Sequence, residues 1–167
     1  VSYKRKNCRL CDSGNIKVVL PLQKSPLCDA YLEQPKDQEF YNLNLCLCNE
    51  CGFVQIDTVV EPETIYRDYI YVTTSSPGLK KHFERYALEV CSFLYLDESN
   101  LTVDIGSNDG TLLGFFKQRG HNVLGIEPSI KAANSANRNG IETLSEFFDI
   151  GLANAIANQY GKASLIT

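Results

Sequence analysis

Hydrophobic and polar positions follow one pattern in the first part of the chain and another in the rest. Residues 41–47 alternate strictly between polar and apolar side chains, which is typical of a half-buried strand. Short apolar runs at 16–20 and 53–56 predict two more strands. Glu61-Pro62-Glu63 then opens a short helix, because proline fits the first helical turn and acidic residues complement the helix dipole.

The second part alternates between helical and strand periodicity. Apolar residues recur at helical spacing over 77–96, which predicts a long helix with Ser76 as its N-cap. Strands are predicted at 101–105, 122–126, 141–144 and 163–166, and helices at 111–119, 129–139 and 149–160. This order predicts an α/β fold, the first half of a doubly wound, Rossmann-like parallel sheet.

A change of composition near residue 75 predicts two domains. Residues 1–75 contain two Cys-x-x-Cys pairs and are predicted to form a small zinc-ribbon-like domain with little core of its own. Residues 76–167 begin the Rossmann-like domain. The fourth strand has no helix after it, so we expect the chain to be a truncated, N-terminal piece of a longer protein.

Two Cys-x-x-Cys pairs supply the strongest chemical signal of the first domain. The pairs are Cys8 with Cys11 and Cys48 with Cys51. Four thiolates at this spacing predict a closed tetrahedral zinc site, and two disulfides or unrelated buried thiols are the alternative. Cys46 could compete with Cys48 as a ligand, but the two-residue spacing and the following Gly52 favour Cys48.

Composition excludes several classes of function. The chain has 167 residues and a net charge of −4, which disfavours nucleic-acid binding because neutralising phosphates requires clustered Lys and Arg. No apolar run has the length of a membrane span. The polar, basic start has no apolar region behind it, so we expect no signal peptide and a reducing, cytoplasmic compartment.

The sharpest signal of the second domain is the segment Asp-Ile-Gly-Ser-Asn-Asp-Gly at 104–110, where the first parallel strand meets its helix. Its Gly-x-x-x-Gly spacing differs from the Gly-x-Gly-x-x-Gly of dinucleotide binders. Asp104 and Asp109 would oppose a pyrophosphate but attract an ammonium or sulfonium cation, and S-adenosylmethionine carries both. An NAD-type ligand and a purely structural turn are the alternatives.

Further polar residues follow the next two strands. Glu127 ends the second strand, where a carboxylate can accept hydrogen bonds from both ribose hydroxyls. Pro128 could wall the adenine, and Glu146 with Phe147 could reach its edge. Within the loop and at these strand ends, the predicted cofactor-binding residues are Asp104, Gly106, Ser107, Asn108, Asp109, Gly110, Glu127, Pro128, Glu146 and Phe147.

The combination of motifs resembles the zinc-containing, S-adenosylmethionine-dependent sugar C-methyltransferases, over nearly all of the sequence. The resemblance rests on the cysteine pairs, Cys-Gly-Phe-Val-Gln at 51–55, the Tyr-rich segment ending at Ser76, the 104–110 loop, and Leu-Gly-Ile-Glu-Pro at 124–128. It implies a class I methyltransferase domain, S-adenosylmethionine and Zn²⁺ as cofactors, a nucleotide-linked keto-deoxysugar as substrate, and a role in deoxysugar biosynthesis.

The resemblance also implies a reaction in which a base removes a proton beside the sugar ketone and the enolate attacks the donor methyl group. The base is expected beyond Thr167, so no catalytic residue is assigned and the 167-residue chain is expected to be inactive alone. Tyr71, with Tyr66 and Tyr69, could close the cleft above the donor, or simply pack. Ser75 could touch the donor or the sugar, or belong to a helix-entry turn.

Two histidines and two rival functions complete the predictions. His82 is expected on the long helix and His121 in a solvated turn, and neither is a candidate base. One rival is a zinc-ribbon interaction module without catalysis, and the other is a methyltransferase for a different small-molecule acceptor. Oligomeric state stays open.

Overall fold

The computed structural model describes residues 2–28 and 32–167, and the chain divides into two compact units, Val1–Tyr66 and Arg67–Thr167. Residues 67–75 belong to the second unit because their backbone is hydrogen-bonded to loops of that unit. The domain boundary near residue 75 stays a prediction drawn from composition. Within the described ranges, no helix combines the length and apolar composition needed to cross a membrane.

Among its described residues, the first unit contains five short strands and one helix. They are β1 (Ser2–Lys4), β2 (Ile16–Ser25), β3 (Tyr41–Cys48), β4 (Val54–Ile56), β5 (Thr58–Val60) and α1 (Pro62–Tyr66). Strands β2, β3 and β4 form an antiparallel sheet in that order, and β1 pairs with β5. The predicted strands are present, and β2 runs beyond its predicted end. The three-residue strands β1 and β5 were not predicted, because each is too short to set up a periodic pattern.

The first unit buries little apolar surface. Val18, Leu20 and Leu22 on β2 are each about half exposed. Over residues 2–28 and 32–66, its buried apolar side chains are few, namely Cys8, Tyr41, Cys46 and Cys48. A unit with so small a core needs a further source of stability, such as a bound metal.

The second unit is a four-stranded parallel sheet with helices packed on it. Its elements are a 3-10 turn (Thr73–Ser75), α2 (Pro77–Leu94), β6 (Leu101–Ile105), α3 (Thr111–Lys117), β7 (Asn122–Ile126), α4 (Ile130–Arg138), β8 (Thr143–Leu144), α5 (Ile150–Tyr160) and β9 (Leu165–Ile166). The strand order is β8-β7-β6-β9, so the order reverses between β6 and β9. The predicted α/β class with a parallel sheet is confirmed, and the carboxyl ends of β6 and β7 lie beside this switch point.

Apolar clusters cover both faces of the sheet. On one face the buried residues are Leu101, Val103, Leu124, Ile126 and Ile156, the last from α5. On the other face Phe115 and Phe116 of α3 pack with Ala87 of α2. Helix α4 begins at its predicted cap, Ser129, whose hydroxyl accepts from the Ala132 N–H. Covering both faces fixes the sheet and leaves its strand ends to form the site.

The expectation of a solvated His121 is wrong. Its side chain is 5% exposed, Nδ1 lies 2.8 Å from the Asp97 carbonyl oxygen, and Nε2 lies 3.2 Å from the Cys91 Sγ. Because a carbonyl can only accept, Nδ1 carries the hydrogen and Nε2 accepts from the thiol. His121 therefore joins the end of α2 to the start of β7, a structural role that its place after Gly120 did not indicate.

Candidate metal centre and strand-end site

The sulfurs of the four predicted cysteines meet in one cluster. Cys8, Cys11, Cys48 and Cys51 each place Sγ within 4.8 Å of the other three. The separation is 3.6 Å between Cys8 and Cys51 and 3.7 Å between Cys11 and Cys48. A tetrahedral zinc with Zn–S bonds of roughly 2.3 Å holds its sulfurs about 3.8 Å apart. The cluster fits Zn²⁺, and the cysteines are free rather than joined as disulfides.

The two cysteine pairs adopt the same local turn. The Asp12 N–H donates to the Cys8 carbonyl over 3.1 Å, and the Gly52 N–H donates to the Cys48 carbonyl over 3.0 Å. Asp12 and Gly52 have φ values of +59° and +74°, the left-handed conformation that both turns require. Gly52 was predicted as a knuckle residue, whereas Asp12 was missed. The sequence gives only a weak indication of Asp12, because aspartate adopts the left-handed conformation more readily than most residues but does not require it.

Cys46 lies outside the cluster of four sulfurs, which agrees with the preference for Cys48. The Cys46 Sγ lies 3.8 Å from the Asn44 carbonyl oxygen, and burial raises the pKa of this thiol.

The buried side chain of Gln55 supports the first cysteine pair. It accepts from the Arg9 N–H over 2.8 Å and donates to the Asn7 carbonyl over 3.1 Å. Gln55 thereby fixes that pair against β4.

The loop after β6 presents backbone that a ligand can approach. Gly106 has φ +82°, and its N–H and that of Ser107 donate to the Ile126 carbonyl over 2.8 and 3.1 Å. No atom lies within 4 Å of the position that a Cβ of Gly106 would occupy. The Ser107 hydroxyl is buried and has no hydrogen-bond partner among the described residues. The open space at Gly106 is what a ligand could use, whereas the Ser107 hydroxyl is packed against Gly125 of β7.

Glu127 connects the two loops at the neighbouring ends of β6 and β7. Its side chain is 6% exposed, and its two carboxylate oxygens accept from the Asn108 N–H over 2.8 Å and the Ser129 N–H over 2.7 Å. Each oxygen keeps a second lone pair. The carboxylate is thus held in one orientation at the strand ends, and its binding to a ribose stays a prediction.

Asp104 lies near the end of β6, close enough to Glu127 for that charge to act on it. It is 7% exposed, and its Oδ1 accepts from the Thr167 hydroxyl over 3.1 Å. Burial raises the pKa of Asp104 above its ordinary value, the Thr167 hydrogen bond opposes this shift, and the Glu127 charge adds to it. A buried carboxylate near a second acid favours a cation at this end of the sheet.

The raised pKa of Asp104 predicts how stability depends on pH. The native state binds this proton more tightly than the unfolded chain, so its contribution to the free energy of unfolding falls as the pH rises. This contribution begins to fall near pH 3.8, the ordinary pKa of an aspartate, and is lost once the pH exceeds the raised pKa of Asp104. We expect Asp104→Asn to remove this slope in denaturant titrations across pH. Asp37→Asn, at an exposed position, is the control, and a slope unchanged in Asp104→Asn would contradict the assignment.

Asn108 and Asp109 use their side chains to hold residues 67–75, a segment that we call the strap. Asn108 accepts from the Thr73 N–H over 3.0 Å and donates to the Tyr71 carbonyl over 2.9 Å. Asp109, 6% exposed, accepts from the Thr74 N–H over 3.1 Å. From the sequence, both residues were predicted to bind S-adenosylmethionine. Their hydrogen bonds to the strap were not predicted.

Asp109 and two other predicted residues, Gly110 and Ser75, also make contacts with residues close to them in the structure. Asp109 also accepts from the Thr111 hydroxyl over 2.6 Å at the start of α3. Gly110 has φ +75°, and a Cβ there would lie 3.1 Å from the Ala136 Cβ. The Ser75 hydroxyl donates to the Val72 carbonyl over 2.7 Å within its own turn. These contacts fix the loop and the start of α3, whether or not a ligand is bound.

The strap also reaches the loops after β7 and β8. Arg67 donates through Nη1 to the Pro128 carbonyl over 3.4 Å and the Ser145 carbonyl over 3.2 Å, and its guanidinium lies 4.9 Å from the Phe147 ring centroid. Glu146 is exposed beside this contact. The strap therefore contacts the loops after β6, β7 and β8, and Arg67, which makes the contacts with the last two, was not predicted.

Comparisons with known proteins agree with both halves of this description. Residues 8–66 match a methyltransferase-family domain model described as "Putative zinc binding domain". The chain is 27% identical over 162 residues to the C-methyltransferase NovU of Streptomyces niveus, a match that covers 95% of this chain and 39% of the relative. The chain thus spans about two-fifths of the length of this curated relative.

Among solved structures, the chain is similar to the plantazolicin methyltransferase BpumL in complex with SAH. That match has 19% sequence identity and a TM-score of 0.28, and covers 46% of this chain and 38% of the other. At this TM-score the superposition has no bearing on the site. The four-cysteine cluster, the matched zinc-binding domain and the similarity to NovU along nearly the whole chain are together consistent with a zinc-containing methyltransferase family.

Proposed function

We propose that the second unit binds S-adenosylmethionine at the carboxyl ends of β6 and β7, as part of an enzyme that methylates a carbon of a nucleotide-linked keto-deoxysugar. The observation that carries the proposal is the Glu127 carboxylate, fixed beside the open backbone of Gly106 at the switch point of the sheet. The acceptor class rests on the resemblance to sugar C-methyltransferases, and the C-methyltransferase named above supports the reaction type.

Each residue of the site has a role that follows from its chemistry. Gly106 lets a ligand approach the loop backbone, which a side chain would prevent. Glu127 offers its remaining lone pairs to a pair of hydroxyls, such as those of a ribose. Asp104, a buried acid without an ion-pair partner among the described residues, adds negative potential that favours a cationic ligand.

When bound, S-adenosylmethionine supplies a sulfonium methyl group to a carbon nucleophile. The chain's own part in this chemistry is to bind and orient the donor, because positioning in line with the nucleophile lowers the barrier. No residue of the chain is assigned as the base that creates the nucleophile. Pro128, Glu146 and Phe147 are proposed to surround the adenine, with Tyr71 and Ser75 on the strap above it.

Binding of S-adenosylhomocysteine, measured by calorimetry on the full-length protein, tests the proposal. We expect Glu127→Ala to raise the dissociation constant about tenfold or more, since hydrogen bonds to a charged group are lost. Glu127→Gln keeps an acceptor for one of the two N–H groups, those of Asn108 and Ser129, that bond to Glu127. We expect this variant to remain folded and also to bind S-adenosylhomocysteine weakly. Glu84→Ala, at an exposed position on α2, is the control.

Two results would count against the proposal. A wild-type protein that binds no S-adenosylhomocysteine would favour the zinc-ribbon interaction module. Equal affinity in the wild type and both Glu127 variants would remove the ribose role of this carboxylate. With donor binding established, methyl transfer from labelled S-adenosylmethionine to a nucleotide-linked keto-deoxysugar, compared with other small acceptors, tests the substrate class.

A further inference from the structure

We propose that Arg67 is a positioning residue for the adenine ring of the donor, acting through Phe147 and the loops after β7 and β8. The inference rests on the proposed function, because it concerns the same strand-end site. It deepens that function by naming the group that sets the spacing and orientation of the adenine-binding side chains.

The contacts of Arg67 join two loops that are distant in sequence. One nitrogen, Nη1, donates to the Pro128 carbonyl after β7 and to the Ser145 carbonyl after β8, over 3.4 and 3.2 Å. These carbonyls belong to, or directly precede, the residues proposed to surround the adenine. A single rigid guanidinium therefore fixes the distance between the two walls of that site.

The same guanidinium determines which face of Phe147 is available. Its central carbon lies over the ring, 4.9 Å from the centroid, in the geometry of a cation–π contact. With one face covered, a planar ligand can stack only on the opposite face. Arg67 thus holds the half-buried ring in a fixed plane and restricts it to one stacking partner.

The backbone around Arg67 is held as firmly as its side chain. The Ile130 N–H donates to the Arg67 carbonyl over 3.4 Å, and the Ser129 hydroxyl donates to the Tyr69 carbonyl over 3.1 Å. Both donors lie at the start of α4, directly after Pro128. The anchoring of the strap on α4 and the contacts of Arg67 with the β8 loop together form one clamp.

A unique fluorophore can report on this clamp, because the chain contains no tryptophan. We expect the emission of a Phe147→Trp protein to change on addition of S-adenosylhomocysteine or adenosine, since a purine would stack on the indole. Adding Arg67→Met should abolish this change and, in calorimetry, weaken the binding of both ligands about tenfold. Arg67→Lys keeps the charge but lacks the planar fork, and should give an intermediate loss. Arg85→Met, at an exposed position on α2, should leave both readouts unchanged.

The outcomes separate this inference from the proposed function. If wild-type protein binds S-adenosylhomocysteine but the Phe147→Trp emission does not respond at saturation, the inference fails and the proposed function stands. If Arg67→Met and Arg67→Lys lower thermal stability yet leave ligand affinity and the emission change intact, Arg67 is only structural and the inference is overturned. If the wild type binds no S-adenosylhomocysteine, the proposed function itself fails.

Discussion

Cys48→Ser will unfold the N-terminal unit, and chelation of zinc from the wild-type protein will do the same. A structural zinc contributes on the order of 10 kcal/mol to folding, which is comparable to the whole stability of a small domain. The first unit has few buried apolar side chains to replace that contribution, and two of them, Cys8 and Cys48, are themselves metal ligands. Loss of the ion therefore removes most of what holds residues 2–66 together.

Metal analysis and limited proteolysis measure this effect. We expect one zinc per chain in the wild type, none in Cys48→Ser, and rapid cleavage within the first unit of the variant. Cys28→Ser, at an exposed position, and Cys46→Ser, at a buried position outside the cluster, serve as controls and should both retain the metal. A metal-free protein whose first unit resists proteolysis would refute the zinc assignment.

Gly110→Ala will destabilise the second unit by about 2 to 4 kcal/mol. The left-handed φ of +75° costs an L-residue roughly 1 to 2 kcal/mol, and overpacking against a rigid neighbour adds about as much again. The new Cβ would lie 3.0 Å from the Ile141 Cβ and 3.1 Å from the Ala136 Cβ. Both neighbours are buried, Ala136 in α4 and Ile141 between α4 and β8. Neither neighbour has a flexible end that could move aside.

A matched substitution is available four residues later, inside the helix α3 that follows Gly110. Gly114→Ala is in α3, where a Cβ meets nothing within 4 Å and φ is not in the left-handed range. It should stabilise the protein by about 0.5 to 1 kcal/mol, because alanine is the better helix former. Urea unfolding followed by circular dichroism gives both values. Equal midpoints for the two variants would contradict this account of the loop.

The sequence was sufficient where one local pattern determined the structure. The strands Leu101–Ile105 and Asn122–Ile126 have their predicted bounds, because each is a short apolar run bounded by turn residues and buried in the middle of the sheet. The four cysteines of the cluster could be predicted equally well, because Cys-x-x-Cys spacing is typical of a metal-binding turn. At the edges of the sheet, β8 and β9 are only two residues long, shorter than their apolar runs suggested.

Contacts between distant residues left no such pattern. The acidic 104–110 loop was interpreted from its charge, as a site for a cation, whereas Asp109 accepts hydrogen bonds from the backbone of Thr74, 35 residues earlier. Arg67 bonds to carbonyls that are 61 and 78 residues away, and any residue can supply a carbonyl. The strap could therefore be recognised only from the folded arrangement.

The matching turns at the two cysteine pairs bear on how the first unit assembles during synthesis. Each turn is closed by a hydrogen bond between residues four apart, so the closing bond is local in the sequence. In a nascent chain Cys8 and Cys11 leave the ribosome first, and Cys48 follows Cys11 by 37 residues. The pairing of Ile16 with Cys48 at one end of the β2–β3 ladder then delivers the second half of the site to the first. Zinc binding and the pairing of β2 with β3 therefore depend on each other in this unit.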